Sequence, residues 1–205
     1  MTLESSKALG GVGALLMVIG ASMSGNTGVL GLIGLILVLI ALKRLSNHYN
    51  EAGIYNNAFY GVIMAIIGGV VSVAVIMVAA VGLLSALGIE ITAWGDWTTF
   101  QQINWEDLVT WGIIAPYIAA ILGSLVVLFV FVVVAAVFLR RSYTTLSAKT
   151  GVKMFSTVGL LTLIGAVLTI IGVGLILLWF AQVLLAVAFF SIKTQPAQPP
   201  ESTPP

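Results

Sequence analysis

Six long apolar runs, none containing Asp, Glu, Lys, Arg or His, alternate along this chain with polar gaps. A backbone that crosses hydrocarbon must satisfy its own hydrogen bonds, so runs approaching the roughly twenty residues needed to cross a bilayer restrict the chain to membrane helices. Lys7, Lys43, Arg44, Arg140, Arg141, Lys149, Lys153 and Lys193 occupy alternate gaps, and the gaps between them hold no cation. Cytoplasmic loops accumulate Lys and Arg, so the pattern predicts both termini in the cytoplasm of a multi-pass cell-membrane protein. Composition agrees: 60% of residues are hydrophobic and 7% charged, with a mean hydropathy of +1.17. A soluble globule carries about a quarter charged residues.

The predicted fold is all-α, a polytopic bundle of six transmembrane helices in residues 1–193 with two short hairpins flanking a long central one. Its expected spans are about 8–21, 28–42, 54–87, 108–139, 154–171 and 174–192. The first two are short for a bilayer and form a hairpin that either spans with little tilt or is partly re-entrant. Lys7 before an apolar stretch also fits a weak signal peptide, but a second apolar run follows almost at once. The third and fourth spans, at 1.5 Å per residue, reach about 50 Å and should tilt or project beyond the bilayer. Lys43 to Gly53 and Arg140 to Lys153 read as polar loops on the basic side. On the other side Asn104 and Asp107 suit the cap and first turn of the fourth helix, and Pro116 should kink it. Trp94, Trp97, Trp105 and Trp111 cluster there as an outer aromatic belt. Gly172 and Gly174 break the last apolar stretch in two, and residues 194–205, with five of the six prolines, should be a disordered cytoplasmic tail.

An internal repeat is visible. GALLMVIGA (Gly13 to Ala21) lies over VGLLTLIGA (Val158 to Ala166), and IGLILVLIA (Ile33 to Ala41) over VGLILLWFA (Val173 to Ala181). Both hairpins start from the same side, so the repeat is parallel, about an axis along the membrane normal.

Chemistry is sparse. Without ionisable groups at depth, proton relays, ion-coupled transport and voltage sensing lack their working parts. The chain has no cysteine, which removes disulfides and thiolate sites. His48 and Glu51 are three apart, yet two ligands do not make a metal site, and a serine nucleophile would need a base that the lone His48 does not bring to Ser72 or Ser124. No catalytic, cofactor or metal residue is assigned, and a net charge of +1 leaves no field for nucleic acid. The residues expected to matter are helix-packing ones: Gly11, Gly34, Gly68 and Gly69, where backbones can approach, and Gln182, whose amide needs a partner in hydrocarbon.

SSKALGGVGALL (Ser5 to Leu16), ALKRLSNHYNEAGIYNNAFYG (Ala41 to Gly61), LLTLIGAVLTIIGVGLILL (Leu160 to Leu178) and AVAFFSI (Ala186 to Ile192) resemble the domain of unknown function family number 996. The resemblance spans most of the chain apart from the outer loop and the tail. It implies a small polytopic membrane protein of a prokaryote, largely archaeal, and brings no activity or site residue with it. The expectation from sequence is therefore a non-enzymatic scaffold or complex subunit, whose partners are the bilayer and further copies or a larger complex. The alternative is an uncoupled carrier for an uncharged or lipidic molecule, and an enzyme acting on lipid at the inner rim through His48 and Glu51 ranks third.

Membrane-impermeant amine reagents applied to intact cells should leave Lys7, Lys43, Lys149, Lys153 and Lys193 unmodified, as read by peptide mass spectrometry. Labelling of Lys149 or Lys153 from outside would invert the orientation.

Overall fold

A computed structural model describes residues 3–22, 28–86 and 111–193. The described residues form six α-helices: α1 (Leu3–Ser22), α2 (Gly28–His48), α3 (Ala52–Ala86), α4 (Trp111–Thr150), α5 (Met154–Leu168) and α6 (Val173–Phe190). A single 3-10 turn, Thr169–Ile171, joins α5 to α6. All six are long and apolar enough to cross a membrane. The Pro-rich tail, the helix-cap pair Asn104 and Asp107, and Trp94, Trp97 and Trp105 lie outside the described residues.

Helices and apolar runs do not share boundaries. α2 continues through Lys43 to His48, and α4 continues from Arg140 to Thr150, so most of what read as polar loop is helix. The reason is local: Leu, Arg, Lys and Ala favour helix, and no Gly or Pro interrupts either extension before Asn50 or Gly151. α1 likewise begins at Leu3 and takes in Lys7. The end of an apolar run marks where hydrocarbon stops being tolerable for a charge, which is a different condition from the end of a helix. Pro116 lies in the second turn of α4, where few backbone bonds are lost to it.

The chain divides into two compact units, Met1–Gly61 with Ala136–Pro205, and Val62–Ala135. The first contains all eight Lys and Arg residues; the second contains none. In the first unit the ends of all six helices converge on one core. Leu42, Leu45, Ile54, Leu146, Phe155, Phe189 and Ile192 are each at most 1% exposed there, and the Phe155 and Phe189 rings meet edge to face at 5.2 Å.

Glycine makes that convergence possible. A Cβ at Gly13 would stand 2.7 Å from the Gly34 carbonyl oxygen, and one at Gly34 would overlap the Gly13 carbonyl, so α1 and α2 touch backbone to backbone. A Cβ at Gly10 or Gly11 would enter the ring of Phe189 or Phe190, which seats α6 against α1. α5 and α6 meet at Gly165 and Gly174, just before and after a turn closed by Gly172 at φ +80°. Only glycine takes that left-handed conformation without cost. The two hairpins that match in sequence thus use different contacts: Gly34 faces Gly13, whereas its counterpart Gly174 faces Gly165, the counterpart of Gly20.

The second unit is an antiparallel pair. Gly68 on α3 receives the Phe131 side chain from α4, Ser72 meets Ser124, and Gly82 lies under the Tyr117 ring. Outside this seam large aliphatic side chains stay uncovered: Val78 is 74% exposed and Met77 and Val126 each 62%. Such a surface suits lipid, where an apolar side chain gains little by leaving the acyl chains and helix contact depends on close packing.

Gly69 is different from Gly68. A Cβ there meets nothing within 4 Å, because adjacent residues on a helix point about 100° apart and only one can lie in the seam. The expectation that both are packing positions is corrected on this point. Gly68→Leu should therefore destabilise the hairpin by about 1–3 kcal/mol through overpacking, while Gly69→Leu should not. Thermal unfolding of the two variants in detergent checks this; equal melting temperatures would remove the α3–α4 seam.

Candidate functional site at the basic helix ends

Two turns at the basic helix ends are built alike. α2 ends on Asn50 at φ 49°, with the Asn50 and Glu51 amides donating to the carbonyls of Asn47 and Ser46. α4 ends on Gly151 at φ +71°, whose amide donates to Ser147. These are left-handed helix stops that satisfy the last carbonyls. In both, a serine one turn earlier reaches forward by the same interval: Ser46 Oγ donates to the Glu51 carbonyl at 2.9 Å and Ser147 Oγ to the Val152 carbonyl at 3.0 Å. Ser142 Oγ then ties α4 to α3 by donating to the buried Ile54 carbonyl at 2.5 Å.

Three lysines are already engaged at this end. Lys7 Nζ donates to the Ile192 carbonyl at 3.1 Å, beyond the C-terminus of α6, where the helix dipole favours a cation. Lys43 Nζ lies 4.5 Å from the Tyr55 ring centroid, and Lys149 pairs with Glu51 at 3.2 Å. His48 is exposed and set edge-on to Tyr49, so Glu51 is shared with Lys149 and not with His48. Among the described residues no three His, Cys, Asp or Glu side chains gather in a way that could hold a metal.

Beside these turns lies a groove of about 610 Å³ between α3, α4 and α5. Val137 and Leu163 line it on the apolar side, and Asn57, Arg140, Arg141, Thr144 and Thr145 on the polar side. Gly159 shapes it: a Cβ on this residue would stand 3.1 Å from the Arg140 Cα, so α5 comes directly onto the α4 backbone, with Leu163 one turn further along. Sequence reading used Arg140 and Arg141 only as orientation signals. The available sign of more was two adjacent arginines immediately after the apolar run that ends at Leu139.

The polar groups within apolar stretches are mostly internal. Ser72 Oγ donates to the Ser124 carbonyl at 3.1 Å, Ser124 Oγ to the Ile121 carbonyl at 2.8 Å, Thr162 to Val158 at 2.8 Å, and Thr169 to Ala166. Gln182 is half-buried on the α6 face that also carries Leu178, Leu185 and Phe189; its Oε1 is buried without a hydrogen-bond partner. Of the packing glycines read from sequence, Gly11 contacts Phe190, Gly34 contacts Gly13 and Met17, and Gly68 contacts Phe131. Trp111 opens α4.

Six apolar helices with their cations confined to one of two compact units define a multi-pass helical membrane protein. Residues 30–183 match the family described as Protein of unknown function (DUF996), and the chain belongs to that family. It is 30% identical over 192 residues to uncharacterized protein MJ1644 of Methanocaldococcus jannaschii, with 94% of each chain covered. No solved structure matches it.

The Lys149–Glu51 pair is exposed, 43% and 36% at its two side chains, so water and salt screen it. Glu51→Gln should cost less than about 1 kcal/mol, a small fall in melting temperature at low salt that vanishes at high salt. A large, salt-independent fall would make this pair a principal brace between the two turns.

Proposed function

We propose that this protein is a non-enzymatic packing subunit of the cell membrane, a scaffold that associates with further copies or with a larger complex, with both termini in the cytoplasm. The observation that carries this reading is the use made of the hydroxyls at depth. Ser72 donates across to a carbonyl of α4, while Ser124, Thr162 and Thr169 donate back to carbonyls three or four residues earlier in their own segments; hydroxyls taken up in this way support a packing role over the lining of a path for solute. The groove lies beside the basic turns and includes neither Ser124 nor Gln182, which weakens the alternative of an uncoupled carrier for an uncharged or lipidic molecule. A lipid-acting enzyme built on His48 and Glu51 loses support because Glu51 is paired with Lys149.

Gln182 is the polar group most suited to a bond between subunits. Its acceptor is unpaired among the described residues, and the two ends of a carboxamide exchange by a simple flip. Gentle solubilisation should yield a particle larger than the monomer, measured by light scattering, and Gln182→Leu should shrink it. Reconstituted vesicles should show no current and no proton flux. A monomeric particle whose melting temperature merely rises with Gln182→Leu would mean that the amide is an internal liability and would sink the scaffold; a pH-driven flux would replace it with a transporter.

A further inference from the structure

The basic groove has more of the features of a binding site than orientation requires. On α4, Val137, Arg140 or Arg141, and Thr144 follow one another at three- and four-residue steps, which stacks them along one helix face. Both arginines line the groove, both are exposed, and neither makes an ion pair or side-chain hydrogen bond among the described residues. By contrast Lys7, Lys43 and Lys149 at the same end are each engaged by a carbonyl, a ring or a carboxylate. Glu51, the acidic side chain nearest in sequence to Asn57, is occupied by Lys149, so no carboxylate is supplied to the groove by that turn.

The donor set favours a phosphate. A guanidinium presents a planar fork that matches two phosphate oxygens at once, and the Asn57 amide and Thr144 hydroxyl can add neutral donors. Thr145 contributes less, since its hydroxyl donates to the Arg141 carbonyl at 2.9 Å. Depth points the same way. The ionisable-free run of α4 stops at Leu139, so Arg140 and Arg141 stand at the first level where charge is tolerated, that of lipid headgroups. Val137 lies one turn toward the apolar side, and with Leu163 it offers the start of an acyl chain a dry wall, which a free phosphate would leave unused.

We propose that this groove binds one anionic phospholipid, its phosphodiester held between Arg140 and Arg141 and its chain laid along Val137 and Leu163. The site is independent of the scaffold reading.

The protein in nanodiscs of neutral phosphatidylcholine provides the test, with phosphatidylglycerol added in steps and bound lipid counted by native mass spectrometry. Binding should saturate at one tight lipid per chain. Arg140→Gln with Arg141→Gln should weaken it about tenfold or more, while Lys43→Gln with Arg44→Gln, on the same rim outside the groove, should leave it unchanged. Should the double arginine variant misfold, Thr144→Glu, at an exposed position, introduces a like charge and should weaken binding in the same way. Equal loss in the rim control would mean diffuse attraction to an anionic surface, and an unaffected arginine variant would mean binding elsewhere; either overturns the site. Inorganic phosphate that stabilises the protein through Arg140 and Arg141, with no effect of phosphatidylglycerol, would overturn the lipid and reassign the groove to a soluble phosphate.

Discussion

Contact between helix backbones at glycine is the interaction on which the rest of this structure depends. In hydrocarbon a leucine gains little by exchanging an acyl chain for another leucine, so helices stay together only where their surfaces fit closely enough to add dispersion and exclude lipid. The first unit is joined by such fits in sequence: Gly13 with Gly34 joins α1 to α2, Gly10 and Gly11 receive Phe189 and Phe190 of α6, and Gly165 with Gly174 closes α5 on α6. Phe189 then meets Phe155, and Gly159 lays α5 on α4 at Arg140. Five helices are connected through these contacts, and the sixth is drawn in where Ser142 bonds to Ile54.

The same contacts decide where polarity can go. With backbones this close, hydroxyls within the seams are absorbed by carbonyls, and apart from the Gln182 amide strong hydrogen-bonding capacity is left at the basic helix ends. There the turn serines stop α2 and α4 in matching ways, Lys7, Lys43 and Lys149 are engaged by a carbonyl, a ring and a carboxylate, and the two arginines line an open groove. A glycine contact that packs one helix against another thus also forms a wall of the candidate site.

Much of the architecture was legible from apolar run lengths and the placement of cations, because both obey a strong one-dimensional rule: a charge cannot sit in hydrocarbon without a partner. Helix ends were less legible, since Lys43 to His48 and Arg140 to Thr150 are polar and helical at once. Gly68 and Gly69 show a second limit. They have the same chemistry and neighbouring numbers, yet one receives Phe131 and the other faces nothing, because helical phase relative to a partner is a property of two chains of atoms and not of one run of letters.

The candidate site divides in the same way. That the chain is a membrane protein, that its described residues are mainly helical, and that its cations gather in alternate gaps follow from composition and order alone, since transfer free energies act residue by residue. That Arg140 and Arg141 border a groove with Asn57 and Leu163, while Glu51 turns to Lys149 and not to His48, was decided by tertiary packing. Those residues come from separate helices, and the missing side chain at Gly159 lets α5 approach α4 closely enough for five polar side chains and two aliphatic ones to share one space.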